Sequence, residues 1–216
     1  MIRAAVFDFG ETLLSEERAW GVWAEWVGVT KQELFAAIGA TIELRAPHVH
    51  ALELCKPGFD LGQALAEREA LGIPRHEELY DVYPDAEAAL DRLRAAGLRV
   101  GVAGNQPSGA EAALGAIVIG PRDFIATSTD WGVSKPSPAF FERLAYELGF
   151  PAEEIAYIGD RVDNDVVPAA AAGMFAVHLR RGPWGIVQAA WPEAARARAS
   201  AANLGEAVDA ILSPGR

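Results

Sequence analysis

The residues best suited to chemistry sit where short apolar runs end. "AAVFDF" carries Asp8 into a glycine-containing turn, "VGVAGN" runs into Gly104 and Asn105, and Lys135 lies in the loop "GVSKPSP" ahead of a helix. "IAYIGDRVDND" then delivers Asp160, Asp163 and Asp165. Open α/β sheets bind ligands at the carboxyl ends of their strands, and all of these positions are such ends if the apolar runs are strands. Carboxylates, one lysine and a polar turn would then share one rim. Carboxylates act as nucleophiles or hold hard cations, and a lysine opposes their repulsion. Two positions after Asp8, where a second acid is expected, stands Gly10.

Placing these groups requires a particular scaffold. Arg3–Phe7, Leu98–Ala103, Phe124–Thr127, Ile155–Ile158 and Phe175–Leu179 are short apolar runs of the kind that form buried parallel strands. Helical segments separate most of them. "PDAEAALDRLRAAG" has Asp85 as N-cap, Leu90 and Leu93 on one face and Gly97 as its stop. "SPAFFERLAYELG" has Ser137 as N-cap, Pro138 in the first turn, Phe140, Leu144 and Leu148 four apart, and Gly149 as terminator. The alternation predicts an α/β fold, a Rossmann-like parallel sheet with helices on both faces. Residues 15–81 break the rhythm and read as an all-helical insertion, leaving 1–14 and 82–216 as the α/β core. Trp20, Trp23 and Val27 recur at helical spacing, "TKQE" from Thr30 is a capping box, and Asp60 can cap a helix running to Leu71. The Trp cluster reads as packing of the insertion's own core, with Trp26 off that face. The Ala-rich "AARARASAA" near the C-terminus reads as a surface helix.

Composition narrows the function. No apolar stretch approaches the ~20 residues that span a bilayer, and the N-terminus meets acid too early for a signal peptide, so a cytoplasmic location is expected. A net charge of −11 opposes nonspecific binding to nucleic acid or to anionic membranes. A phosphorylated ligand must therefore be caught by a local basic pocket. The single cysteine, Cys55, can form neither an intramolecular disulfide nor a thiolate cage, and reads as structural. His48, His50, His76 and His178 are scattered, and Arg161, Arg180 and Arg181 read as solvated surface charges.

Taken in order, "VFDFGETL", "VGVAGN", "GVSKPSPAFF" and "YIGDRVDND" resemble the four motifs of the haloacid dehalogenase superfamily, and the helical insertion resembles its small cap. The resemblance covers essentially the whole chain. It implies a hydrolase in which Asp8 attacks phosphorus to form an aspartyl-phosphate, a species labile enough for water to complete a second step. It implies that Lys135 holds Asp8 and the phosphoryl oxygens. Magnesium is the implied cofactor, with Asp8, the Gly10 main-chain carbonyl and Asp160 as ligands and Asp165 supporting its water shell.

Two departures stand out against that pattern. The family's second aspartate of the first motif serves as general acid/base through its side chain, which Gly10 lacks, and Glu11 is the nearest substitute. The second motif ordinarily ends in Ser or Thr, and here Gly104 leaves main-chain N–H groups and Asn105 to bind the phosphoryl group. The leading expectation is a Mg²⁺-dependent phosphatase of a small phosphorylated metabolite. Beside it stand a catalytically impaired member that binds a phosphometabolite or a protein, a phosphotransferase, and a metal-free haloacid dehalogenase. Asp160 counts against the last, because the resemblance implies that dehalogenases lack that acid. Asp163 and Asn164 read as turn formers. The sequence leaves oligomeric state and substrate identity open.

Overall fold

Ala4–Phe7, four fully buried apolar residues, form β1 at the middle of a six-stranded sheet. The computed structural model describes residues 1–110, 112 and 123–213. After β1 come β2 (Leu14–Ser15), helices α1 (Glu17–Val27), α2 (Lys31–Glu43), α3 (Val49–Cys55) and α4 (Leu61–Ala70), and β3 (Asp81–Val82). Then follow α5 (Ala86–Ala95), β4 (Arg99–Gly104), β5 (Phe124–Thr127), α6 (Ser128–Trp131), α7 (Pro138–Leu148) and β6 (Ile155–Gly159). The chain closes with α8 (Val167–Ala171), β7 (Phe175–Leu179), α9 (Gly182–Val187), β8 (Ala199–Ala201) and α10 (Leu204–Leu212). By compactness it divides into Met1–Leu14 with Val82–Arg216, and Ser15–Asp81.

In the first unit the strand order is β5-β4-β1-β6-β7-β8, with every pairing parallel. The fold is therefore the Rossmann-like α/β sheet expected. Phe7 is in register with Val102 on one side and Ile158 on the other. Asp8, Gly104 and Asp160 consequently leave the sheet at the same end. From β1 the chain builds outward through β4 and β5, then returns to build the other way through β6, β7 and β8. The order reverses beside β1, and the crevice outside that reversal is where such sheets bind ligands. Alternate residues of β1 face opposite ways, and Ala4 and Val6 join Phe140, Phe141 and Leu144 of α7 and Ala169 of α8 in one apolar cluster. On the other face α5 and α10 pack on each other. Burial on both faces is why these strands read as unbroken apolar runs.

Two local readings change. Asp85 stands at the N-cap of α5, but its side chain makes no cap hydrogen bond there. Its Oδ2 accepts from the Leu204 N–H (3.0 Å) and from Arg181 (2.5 Å), so it secures the start of α10. "AARARASAA" is not a surface helix: Pro192–Arg196 is a short 3₁₀ turn and Ala199–Ala201 is β8, paired with β7. Helix propensity there yields to the open edge of β7, whose backbone groups need partners.

The second unit, Ser15–Asp81, is helical. Trp20, Trp23 and Val27 lie on the buried face of α1, together with Ala19 and Ala24. The Thr30–Glu33 capping box opens α2, and Asp60 accepts from the Gln63 N–H (2.8 Å) at the start of α4. Trp26 is half-buried. The Arg68 guanidinium lies 3.9 Å from the centre of the Trp23 ring.

Candidate active site

The turn after β1 is wound tightly. The Leu13 and Leu14 N–H groups both donate to Phe9 O (3.0 Å each), and the Glu11 N–H donates to Leu14 O (2.6 Å). This winding places Glu11 at φ 49°, in the left-handed region that a non-glycine residue occupies at a cost on the order of 1 kcal/mol. Glu11 nevertheless stays inside, 5% exposed, with its Oε2 accepting from the Tyr83 hydroxyl at 2.5 Å. Gly182 makes room for it, since a Cβ there would meet Glu11 Cγ at 2.5 Å.

Asp8, Asp160 and Asp165 are all buried and place ligand oxygens within 4.8 Å of one another. Lys135, fully buried, joins two of them: its Nζ lies 2.8 Å from Asp8 Oδ1 and 2.6 Å from Asp165 Oδ1. The ammonium also sits 5.5 Å from the centre of the Tyr157 ring, and the Tyr157 hydroxyl donates to Ala103 O (2.7 Å), which ties this wall to β4. Asp165 spends its second oxygen on the Arg161 N–H (3.0 Å). It is thereby locked on both sides, which suits a support better than a mobile ligand.

Three buried carboxylates face one ammonium, and the electrostatics record the imbalance. Burial raises the Asp8 carboxyl to about 6; Lys135 works against that and Asp165 adds to it. Burial, then Asp165, Asp8 and Glu11, push Asp160 well above the usual carboxylate range. For Lys135 burial disfavours the charge, but Asp165 and Asp8 outweigh it and hold the ammonium well above its ordinary value. Such a cluster is short of positive charge. Hard oxygen donors at this spacing fit a divalent cation of the magnesium type, which would supply it.

The second-motif residues are engaged within the site itself. Asn105 directs its amide at the Lys135 main chain, accepting from Lys135 N (2.8 Å) and donating to Lys135 O (2.9 Å). It therefore fixes the loop that carries the lysine. At Gly104 an added Cβ would lie 2.1 Å from Asp8 Oδ1, so the Asp8 carboxylate occupies the space a larger residue would need.

Several participants were passed over in the sequence or given another role there. Tyr83 lies 72 positions from Glu11, and Arg181 stacks 4.0 Å from the centre of the Tyr83 ring while donating to Thr12 O (3.1 Å). Arg181 is thus a structural cation rather than a solvated one. His178, buried, donates from Nε2 to Asp160 O (3.1 Å). Gln188, also buried, contacts the loop between Asp160 and Asp165. Arg161 pairs with Asp163 (2.8 Å). One signal could have found Gln188: it is the lone amide in the apolar run "WGIVQAAW".

Comparison with known proteins places these observations. A family model described as haloacid dehalogenase-like hydrolase matches residues 2–173. The chain is 36% identical over 202 residues to glyceraldehyde 3-phosphate phosphatase of Methanopyrus kandleri, covering 85% of this chain and 86% of that protein. It is 36% identical over 103 residues to phosphoglycolate phosphatase of Rhodospirillum rubrum, 47% of this chain and 42% of that one. A crystal structure of a putative haloacid dehalogenase-like hydrolase from Bacteroides fragilis superposes with a TM-score of 0.70 at 21% identity, covering 96% of this chain and all of that one.

Proposed function

The chain belongs to the haloacid dehalogenase-like hydrolase family, and from that premise we propose that it is a cytoplasmic Mg²⁺-dependent phosphatase of a small phosphorylated metabolite. The carrying observation is the Lys135 ammonium seated between Asp8 and Asp165, with Asp160 beside them. Relatives named as phosphatases support the same class of reaction.

In this reading Asp8 attacks phosphorus, the bond to the alcohol oxygen breaks, and an aspartyl-phosphate forms. Water then attacks phosphorus and returns Asp8 as carboxylate with release of phosphate. Asp8, Asp160 and the Gly10 carbonyl would hold Mg²⁺, with Asp165 in support. The ion, when bound, offsets the charge of the phosphoryl oxygens. Lys135 orients Asp8 and carries positive charge to the same oxygens. Glu11 takes the proton-transfer role that Gly10 cannot fill: it protonates the leaving alcohol and later accepts a proton from water. Main-chain N–H groups at Gly104 and Asn105 contribute to binding the phosphoryl group. Residues 1–14 and 82–216 form the catalytic core, and residues 15–81 a cap domain that selects the substrate. Nucleic acid and membrane are not partners in this reading.

The test is hydrolysis of a panel of phosphate esters with and without Mg²⁺, with Asp8→Asn as control. Turnover that needs both Mg²⁺ and Asp8 is expected, and the variant should lose it to the background. Binding of a phosphate ester without turnover would replace this reading with the binding-only one.

A further inference from the structure

The family match ends at residue 173, yet the segment beyond it reaches three parts of the site. Gly182 packs against Glu11, where any Cβ would intrude. Gly185 brings its backbone close to Asp160, since a Cβ there would lie 3.3 Å from Asp160 Cβ and 2.5 Å from Leu179 O. Gln188 reaches furthest: its Oε1 accepts from the Val162 N–H at 2.6 Å, and its Nε2 donates to Asp163 Oδ1 at 3.1 Å.

Those contacts fall on the short stretch that sets the spacing of the two acids. Between Asp160 and Asp165 the chain makes one wide turn, a π-helical segment over Val162–Val166, closed by Asp165 N–H to Arg161 O (2.9 Å) and Val166 N–H to Arg161 O (3.1 Å). π-type turns are rare and occur mostly at functional sites. An amide that is 1% exposed is costly to bury unless both its ends are hydrogen-bonded, and both are spent on consecutive residues of this turn. His178 holds the strand end of the same loop through Asp160 O.

We propose that Gln188 is a positioning residue for the metal site: it pins the Val162–Asp163 turn so that Asp160 and Asp165 present their carboxylates toward Asp8. The inference rests on the Mg²⁺ reading above and goes beyond it by assigning the role to the segment after β7. Partners of this outer kind typically change metal affinity by about 10–100-fold when removed.

Mg²⁺ titration calorimetry on the full chain tests it with Gln188→Met, which keeps length and apolar volume but makes neither hydrogen bond. The expected result is Mg²⁺ binding weakened about tenfold or more, with the circular dichroism spectrum unchanged and turnover restored by raised Mg²⁺. A merely structural role would not give that rescue. Affinity within about twofold of the parent protein, against the tenfold expected, overturns the proposal. Should Gln188→Met fail to fold, Gln188→Glu serves instead, keeping the acceptor for Val162 while losing the donor to Asp163. Its Mg²⁺ affinity should fall, and unchanged affinity again overturns the proposal. Failure of the underlying reading looks different: the parent protein itself would bind no Mg²⁺, or Asp160→Asn would bind it equally well.

Discussion

The two sides of the candidate site are built on different logic. On one side Asp8, Lys135, Asp165 and Asp160 form a dense buried cluster in which the lysine bridges two acids and a main-chain N–H holds the third contact. On the other, at Gly10, Glu11 and Gly104, the residue types depart from the resemblance, and the proposed compensation at Glu11 rests on how that side chain is held. Glu11, the residue after Gly10, stands in a left-handed backbone conformation, fastened by Tyr83 and given space by Gly182. At Gly104 a side chain would meet the Asp8 carboxylate. The contrast teaches that charge placement tolerates little change, because a buried ion left without its partner is very costly. A proton-transfer group needs only reach, so it can arrive from a neighbouring position.

The largest expected effect tests whether Glu11 supplies the missing acid/base. Glu11→Gln keeps the shape and still accepts from Tyr83, but can no longer exchange a proton. Turnover should fall by about 10²–10⁴-fold while Mg²⁺ binding persists. Moving the acid back, with Gly10→Asp and Glu11→Gly together, should recover part of the loss. Full activity in Glu11→Gln would remove Glu11 from the mechanism and leave the altered side without its compensation.

Gly104→Ser would sharpen the same comparison from the Asp8 side. By resemblance alone the change adds a hydroxyl for the phosphoryl group and should help. The structure argues the reverse, because the new Cβ collides with Asp8 Oδ1 and turns the carboxylate away from Lys135. A misplacement on the 1 Å scale costs roughly 10²-fold in rate. Steady-state kinetics decide the matter: an increase in kcat would mean that Asp8 has another productive orientation.

How much of this was legible in the sequence follows the range of the interactions. The strands β1, β4, β5, β6 and β7 announce themselves because burial on both faces demands unbroken apolar runs. β8 does not, since alanines at a sheet edge carry the composition of a helix. Asp8 and Asp160 stand directly after strands, Lys135 in the loop ahead of α7 and Asp165 in the turn after β6, so a reading of strands and the helices after them finds them. Asp85 reads as a local helix cap and instead serves residues 96 and 119 positions away, Arg181 and Leu204. Tyr83 is invisible for the same reason, and Gln188 is marked only as a lone amide in an apolar run: each matters through a partner brought near by the folded sheet.

The smallest effect, Tyr83→Phe, separates the two sides most cleanly. It removes one hydroxyl and keeps the ring on which Arg181 stacks, so the Arg181 contacts with Thr12 and Asp85 stay in place. Glu11 would still be confined by its winding and by the space at Gly182, and what it loses is one hydrogen bond to a carboxylate. Such bonds contribute about 1.5–3 kcal/mol at most, and the retained confinement should leave a loss of about 1 kcal/mol, roughly fivefold in kcat. Mg²⁺ affinity should not move, because the hydrogen bond removed goes to Glu11 rather than to Asp8, Asp160 or Asp165. Gln188→Met is expected to show the opposite signature, weakened Mg²⁺ binding with kcat retained at saturating metal. If Tyr83→Phe instead lowered Mg²⁺ affinity as strongly as Gln188→Met, the two sides would be one coupled network, and the division between the charge cluster and the proposed proton-transfer group would fall.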